Sequence, residues 1–352
     1  MTKRSKPAKT GAPRDQATSP IIAVTTGDPA GIGPEIVVAF FAAFQPSHSK
    51  AVVIGSPEVI RPWADRYGWN CPILSTPEEM DEVEQTVSFG AYVLDTGCGD
   101  PVPAGRSSRE GGKHAGRAIE LACRLADGGL VEAIVTAPIS KESLNMAGYA
   151  YSGHTEMLAA HFDSPDSQMM MVYRELRVVP LTRHLAIAAV REHVTERRIL
   201  ACLAVVDRAL RDDFDIDAPR IAVAALNPHA GEGGAMGREE VDVIAPALRR
   251  AREEGIRAEG PFAADSLFQS SLEGRYDAFV TMYHDQGLIP FKMAAQKRGV
   301  NVTIGLPVIR TSVDHGVAFD IAGKGEADVA SIKAAYELAE KLVEARRRSG
   351  GG

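Results

Sequence analysis

From Ile21 onward, short β-branched runs alternate with helical patterns. That alternation restricts the chain to an α/β architecture with a largely parallel sheet, because parallel neighbours need a crossover between them. The expected strands are Ile21–Thr26, Ala51–Gly55, Ala91–Asp95, Ala133–Ala137, Leu176–Leu181, Ile221–Leu226, Ala278–Tyr283 and Asn301–Leu306. Between them, apolar residues recur with a 3.6-residue period. In Lys113–Ala126 they are Ala115, Ile119, Ala122 and Leu125; in the last helix they are Val329, Ile332, Tyr336, Ala339 and Leu342.

A chain of 352 residues can fill two cores of moderate size. The first crossing between domains is expected in the loop Asn145–Gly153, and the return near Lys292–Asn301. Residues 20–147 and 296–348 then form one discontinuous domain, and 148–295 the second. Residues 1–19, rich in Lys, Arg, Pro, Ser and Thr, hold too little large apolar surface to offset ordering entropy and read as a disordered tail.

The net charge of -7 comes with no basic stripe bearing interleaved aromatics, which argues against a nucleic-acid partner. No apolar run approaches the roughly 20 residues of a membrane span. Cys71, Cys98, Cys123 and Cys202 lie far apart without a C-x-x-C pair, so reduced core thiols and a cytoplasmic location are expected.

Three histidines follow three expected strands: His184 after Leu176–Leu181, His229 after Ile221–Leu226, and His284 after Ala278–Tyr283. Ligands of open α/β sheets bind outside the C-terminal strand ends, so these imidazoles can converge. Three protein nitrogens with a fourth position open are the pattern of a catalytic zinc-type centre. Taken singly, each reads as an ordinary loop histidine; the signal is their shared topology. Asp285 is expected to cap the helix that follows His284, with support of the imidazole as the alternative. His154 precedes a helical pattern, where Thr155 and the first backbone N–H groups can receive a phosphate. Lys292, Asn301 and Arg310 flank the strand after His284, and the ammonium and guanidinium among them suit a carboxylate or phosphate.

Two glycine loops, Gly27–Glu35 and Gly231–Gly237, depart from the dinucleotide fingerprint, the second because its sixth position is Met236. A nicotinamide would have to bind in another manner.

The blocks TTGDPAGIGPEI, VTAPISKESL, SGHTEML, LTRHLAI, LNPHAGEGG, MYHDQGLIPFK and GVNVTIGLPVIRTSVDHGVAFDIAGKGEAD run in order from Ile21's strand to the final helix. They resemble the 4-hydroxythreonine-4-phosphate dehydrogenase (PdxA) family of vitamin B6 biosynthesis. The resemblance implies a two-domain α/β/α fold similar to the isocitrate and isopropylmalate dehydrogenases, and a homodimer with its active site at the subunit interface. It implies His184, His229 and His284 as ligands of a divalent metal (Zn, Mg or Co), and His154, Thr155, Lys292, Asn301 and Arg310 as substrate contacts. Lys292 is the candidate for proton transfer or charge stabilisation. NAD or NADP is the implied cofactor; its binding residues are not indicated. The implied reaction oxidises 4-phosphohydroxy-L-threonine to a 3-oxo acid, which decarboxylates to 3-amino-2-oxopropyl phosphate. Ala235 and the stretch Leu288–Ala295 depart from biosynthetic members and look more like paralogues acting on a phosphorylated threonate or erythronate, or on a dihydrodiol. From the histidines alone, a metal hydrolase is the reading from another class.

Overall fold

A computed structural model describes residues 18–86, 89–99, 102–271 and 274–350; of the expected tail, residues 1–17 lie outside them. The chain divides into two compact units, Met1–Leu158 with His315–Glu340, and Ala159–Asp314 with Lys341–Gly352. The first two crossings fall later in the chain than the sequence pattern places them, and a third, after Glu340, lies within the last helix.

In the first unit the elements are β1 (Ile21–Thr25), α1 (Gly33–Ala43), β2 (Lys50–Gly55), α2 (Pro57–Tyr67), β3 (Ile73–Leu74), α3 (Met80–Gln85), β4 (Ala91–Asp95), α4 (Arg109–Asp127), β5 (Ala133–Thr136) and α5 (Lys141–Met146). The strands stand in the order β3-β4-β2-β1-β5, all parallel. Every residue of β1 and β2 is buried, as expected of central parallel strands covered on both faces. Helix α4 starts where Ser108 Oγ accepts the Gly111 N–H at 3.0 Å, with Glu110 in the first turn. Its expected apolar face, Ala115, Ile119, Ala122 and Leu125, is buried. Helix α6 (His154–His161) runs through the crossing point.

The second unit holds β6 (Gln168–Tyr173), β7 (Leu176–Pro180), α7 (Ile187–His193), α8 (Glu196–Asp212), β8 (Ile221–Ala224), α9 (Ala245–Glu253), β9 (Ala258–Phe262), α10 (Ala264–Leu267), β10 (Ala278–Thr281), α11 (His284–Ala295), β11 (Val300–Ile304) and β12 (Ile309–Val313). Helix α12 (Ala330–Ser349) ends the chain. The strand order is β12-β11-β6-β7-β10-β8-β9. Strands β7, β10, β8 and β9 are parallel, while β6, β11 and β12 are antiparallel to their neighbours. Strands β3, β6, β9 and β12 were not expected from the alternation. Two of them, β6 and β12, belong to short hairpins, β6–β7 and β11–β12, that need no crossover helix and so break the strand–helix rhythm.

Helix α11 packs on β6, β7 and β10 through Met169, Val178, Phe279, Leu288 and Phe291. Its closest approach is at Gly287, where a Cβ would stand 2.6 Å from Thr281 Oγ1 and 2.7 Å from Val178 Cγ1. Cys98, Cys123 and Cys202 are buried and Cys71 partly so; burial pushes the thiols of Cys123 and Cys202 up to about 12, which suits inert core positions. Among the described residues no helix is long and apolar enough to cross a membrane.

Candidate functional site

Strands β7, β10 and β8 are adjacent and parallel, so their C-terminal ends lie along one edge of the second unit. His184 follows Pro180, His284 follows Thr281, and His229 follows Ala224. The edge expected from the sequence therefore exists, and the strand order explains why three distant segments supply it.

The rings of His184 and His284 adjoin, with centroids 5.9 Å apart. His229 stands outside that pair: among the described residues, no three His, Cys, Asp or Glu side chains are grouped closely enough to hold a metal ion. The donor chemistry nevertheless suits a divalent cation of the zinc type. Asp285 Oδ1 lies 2.7 Å from His284 Nδ1; with the carboxylate accepting that N–H, Nε2 keeps its lone pair for a ligand. This corrects the expectation of a cap, since Tyr283 occupies the N-cap position of α11 and no side chain caps it. Asp285 points back to its neighbour's ring instead.

His229 begins a run of left-handed residues, with φ of 51° at His229, 54° at Ala230, 75° at Gly231, 45° at Glu232 and 65° at Gly233. Three of the five carry a Cβ, and each such residue costs roughly 1–2 kcal/mol in this conformation. A turn of that kind persists only where its surroundings over-determine it.

Gln286 ties two of the strand ends together. Its Oε1 accepts the Met282 N–H at 2.7 Å, and its Nε2 donates to the Ala225 carbonyl at 2.7 Å. Thr182 Oγ1 adds a bond to the Met282 carbonyl at 2.7 Å. Neither residue stands out in the sequence, because a polar side chain beside a strand end reads equally well as solvated.

Lys292 lies on α11, half exposed, with Nζ 3.2 Å from Asp314 Oδ1. Asn301 and Arg310 stand on facing strands of one hairpin. Asn301 pairs with Ser312 and Thr303 with Arg310, so all four side chains share a face. Arg310 is 2% exposed and donates from Nη1 to Thr303 Oγ1 at 2.9 Å. The Oδ1 of Asn301 is buried with no hydrogen-bond partner, an acceptor that a donating ligand would satisfy. In the first unit, His154 and Thr155 open α6, with Glu156 in its first turn.

In the loop Gly27–Glu35 several main-chain donors are already engaged: the N–H groups of Asp28, Gly31 and Ile32 donate to the carbonyls of Pro138, Asp28 and Val317, and that of Ala30 to Asp28 Oδ1.

The model of the family described as PdxA, pyridoxal phosphate biosynthetic protein, matches residues 47–339. A Caulobacter vibrioides protein named 4-hydroxythreonine-4-phosphate dehydrogenase is 43% identical over 336 residues, covering 94% of this chain and 99% of that protein. A Bradyrhizobium diazoefficiens protein, provisionally named D-threonate 4-phosphate dehydrogenase, is 41% identical over 341 residues, covering 93% and 97%. The crystal structure of 4-hydroxythreonine-4-phosphate dehydrogenase from Klebsiella pneumoniae is similar with a TM-score of 0.83 at 39% identity, covering 94% of this chain and 99% of that one.

Proposed function

Because the chain belongs to the PdxA family of pyridoxal phosphate biosynthetic proteins, we propose that it is a metal-requiring, NAD- or NADP-linked dehydrogenase that oxidises 4-phosphohydroxy-L-threonine. The product is a 3-oxo acid, which loses carbon dioxide to give 3-amino-2-oxopropyl phosphate. The observation that carries this reading is the shared edge of β7, β10 and β8, where His184 and His284 adjoin and His229 lies in the turn that follows β8.

His184, His229 and His284 would hold zinc, magnesium or cobalt. When bound, the ion supplies Lewis acidity toward the substrate hydroxyl and the nicotinamide accepts the hydride. The protein's own groups do the rest. Lys292, paired with Asp314, is the group to hold or move the hydroxyl proton. Arg310 and Asn301, fixed on one hairpin face, orient the anionic substrate. His154 and Thr155 would bind substrate from the start of α6. Exposed Leu185, Ile187, Ile289 and Met293, on the unit that carries the histidines, support assembly as a homodimer whose partner covers this region. A cytoplasmic location accords with four free cysteines.

The D-threonate 4-phosphate relative, together with Ala235 and the Leu288–Ala295 stretch, favours one second reading: oxidation of a phosphorylated threonate or erythronate. The test strips the purified protein with a chelator, restores zinc, magnesium or cobalt in turn, and follows NAD and NADP reduction. The substrates are 4-phosphohydroxy-L-threonine, the 4-phosphates of threonate and erythronate, and a cis-dihydrodiol. Metal-dependent reduction with the first alone is expected. A clear preference for a threonate or erythronate phosphate would reassign the substrate. Phosphate release without nicotinamide would make the protein a hydrolase.

A further inference from the structure

The left-handed turn that begins at His229 rests on a carboxylate with no part in the chemistry above. Glu240 is 3% exposed and starts a π-helical turn, Glu240–Ile244. Its Oε1 accepts the N–H groups of Leu226 and Asn227, both at 2.8 Å. Its Oε2 accepts from Asn227 Nδ2 at 3.0 Å. One buried side chain thus fixes the two residues that lead, through Pro228, into His229. The same oxygen lies directly under the turn: a Cβ on Gly231 would stand 2.6 Å from Glu240 Oε2. Only a glycine with positive φ fits between carboxylate and turn.

The clamp extends toward the other strand ends. Asn227 Nδ2 also donates to Glu239 Oε2 at 2.7 Å, and Glu239 Oε1 meets Arg191 Nε at 2.5 Å. Arg191 lies on α7, which follows His184. Gln286, two residues after His284, bonds the Ala225 carbonyl at the other side of the same strand end. The segments bearing all three histidines are therefore cross-linked through residues 225–227, and Glu240 is the member that holds residues 226 and 227.

We propose that Glu240 is the positioning residue of His229: its carboxylate fixes the strained turn so that the imidazole is presented to the cation instead of relaxing away. This rests on the reading of His229 as a metal ligand. A carboxylate that spends both oxygens on Leu226 and Asn227 fixes the entry to the turn whether or not the metal is present, which keeps the ordering cost out of binding.

The test uses the full-length protein freed of metal, titrated with Co(II) and followed by visible absorption and by competition with a chelating dye. Folding is checked by circular dichroism and thermal unfolding without metal. In Glu240→Ala, Co(II) affinity is expected to fall about 10- to 100-fold, the range for loss of an outer-shell partner, with an altered absorption envelope in a folded protein. Glu240→Gln keeps an oxygen for the Leu226 and Asn227 N–H groups but turns an amide N–H toward Asn227 Nδ2, so a smaller loss is expected; it decides the matter if the alanine variant does not fold. In both, turnover should recover at saturating metal, leaving KM for the organic substrate unchanged. Co(II) uptake that is lost in His229→Ala but unaltered in affinity and spectrum in the folded Glu240 variants overturns the proposal alone. No uptake by the wild-type chain, or uptake indifferent to His229→Ala, overturns the ligand reading and the proposal with it.

Discussion

His284 Nδ1 and Asp285 Oδ1 lie 2.7 Å apart, so the residue next in sequence orients the ring that the helix start presents. Such a partner fixes the tautomer and the orientation of the ring. Asp285→Ala is expected to weaken divalent-metal binding by about 10- to 100-fold, measured against a chromophoric chelator. Equal affinity in the variant would mean that something else aims the imidazole.

Gly287 sets how closely α11 approaches the strands beneath it. In Gly287→Ala the new methyl meets Thr281 Oγ1 at 2.6 Å and Val178 Cγ1 at 2.7 Å, and neither neighbour is the flexible end of a long chain. The helix must lift, at about 1–3 kcal/mol for overpacking, and it carries both His284 and Lys292. A lower unfolding temperature together with reduced turnover is the expected result. Wild-type stability and rate would show that the contact is easily relieved.

The edge that the histidines follow was legible because it depends only on strand ends, and short continuous buried runs such as Ile221–Ala224 and Ala278–Thr281 mark those well. What the sequence concealed is local and non-periodic. The β11–β12 hairpin turns at Gly305, with φ of 84°, and its second strand sits where a crossover helix is the default, so Arg310 reads as a flanking cation and not as a strand residue facing Thr303. The turn at His229 contains Ala230 and Glu232 in a conformation that neither prefers; the buried Glu240 beneath it stands in a run, Arg238-Glu239-Glu240, that resembles any solvated stretch. The supporting groups Gln286 and Asn227 act through main-chain bonds formed only once distant strands are neighbours. The shared strand edge could be inferred from topology, whereas the bonds that tie its strand ends required the packed structure.

Asp28 gives a pH signature in the first unit. It is fully buried, and desolvation holds its carboxyl above the usual range although Ser143, the Ala30 N–H and His114 pull the other way. The unfolded group titrates near 3.8. Between that value and the raised folded one, the folded chain binds more protons, so stability falls as pH rises through this window and the full cost remains above it. Asp28→Asn keeps an oxygen for the Ala30 N–H. It is expected to unfold at a higher temperature than the wild type at pH 7, with the difference shrinking below about pH 4. A difference of the same size in acid would assign the effect to packing, not ionisation.

Arg310 separates a binding role from a structural one. Its guanidinium is buried and spends Nη1 on Thr303 Oγ1 at 2.9 Å, which fixes the plane of the fork. Arg310→Lys retains the charge but loses the paired donors, and a charge-assisted bond contributes about 1.5–3 kcal/mol. KM for the phosphorylated substrate is therefore expected to rise roughly 10- to 100-fold while kcat changes little, because ground state and transition state lose the same contact. Thr303→Val leaves the guanidinium intact and removes only its anchor, so it should raise KM by a smaller factor. Steady-state kinetics at saturating metal, with unfolding temperatures for each variant, read both effects. An unchanged KM in a folded Arg310→Lys protein would confine Arg310 to holding β12 against β11.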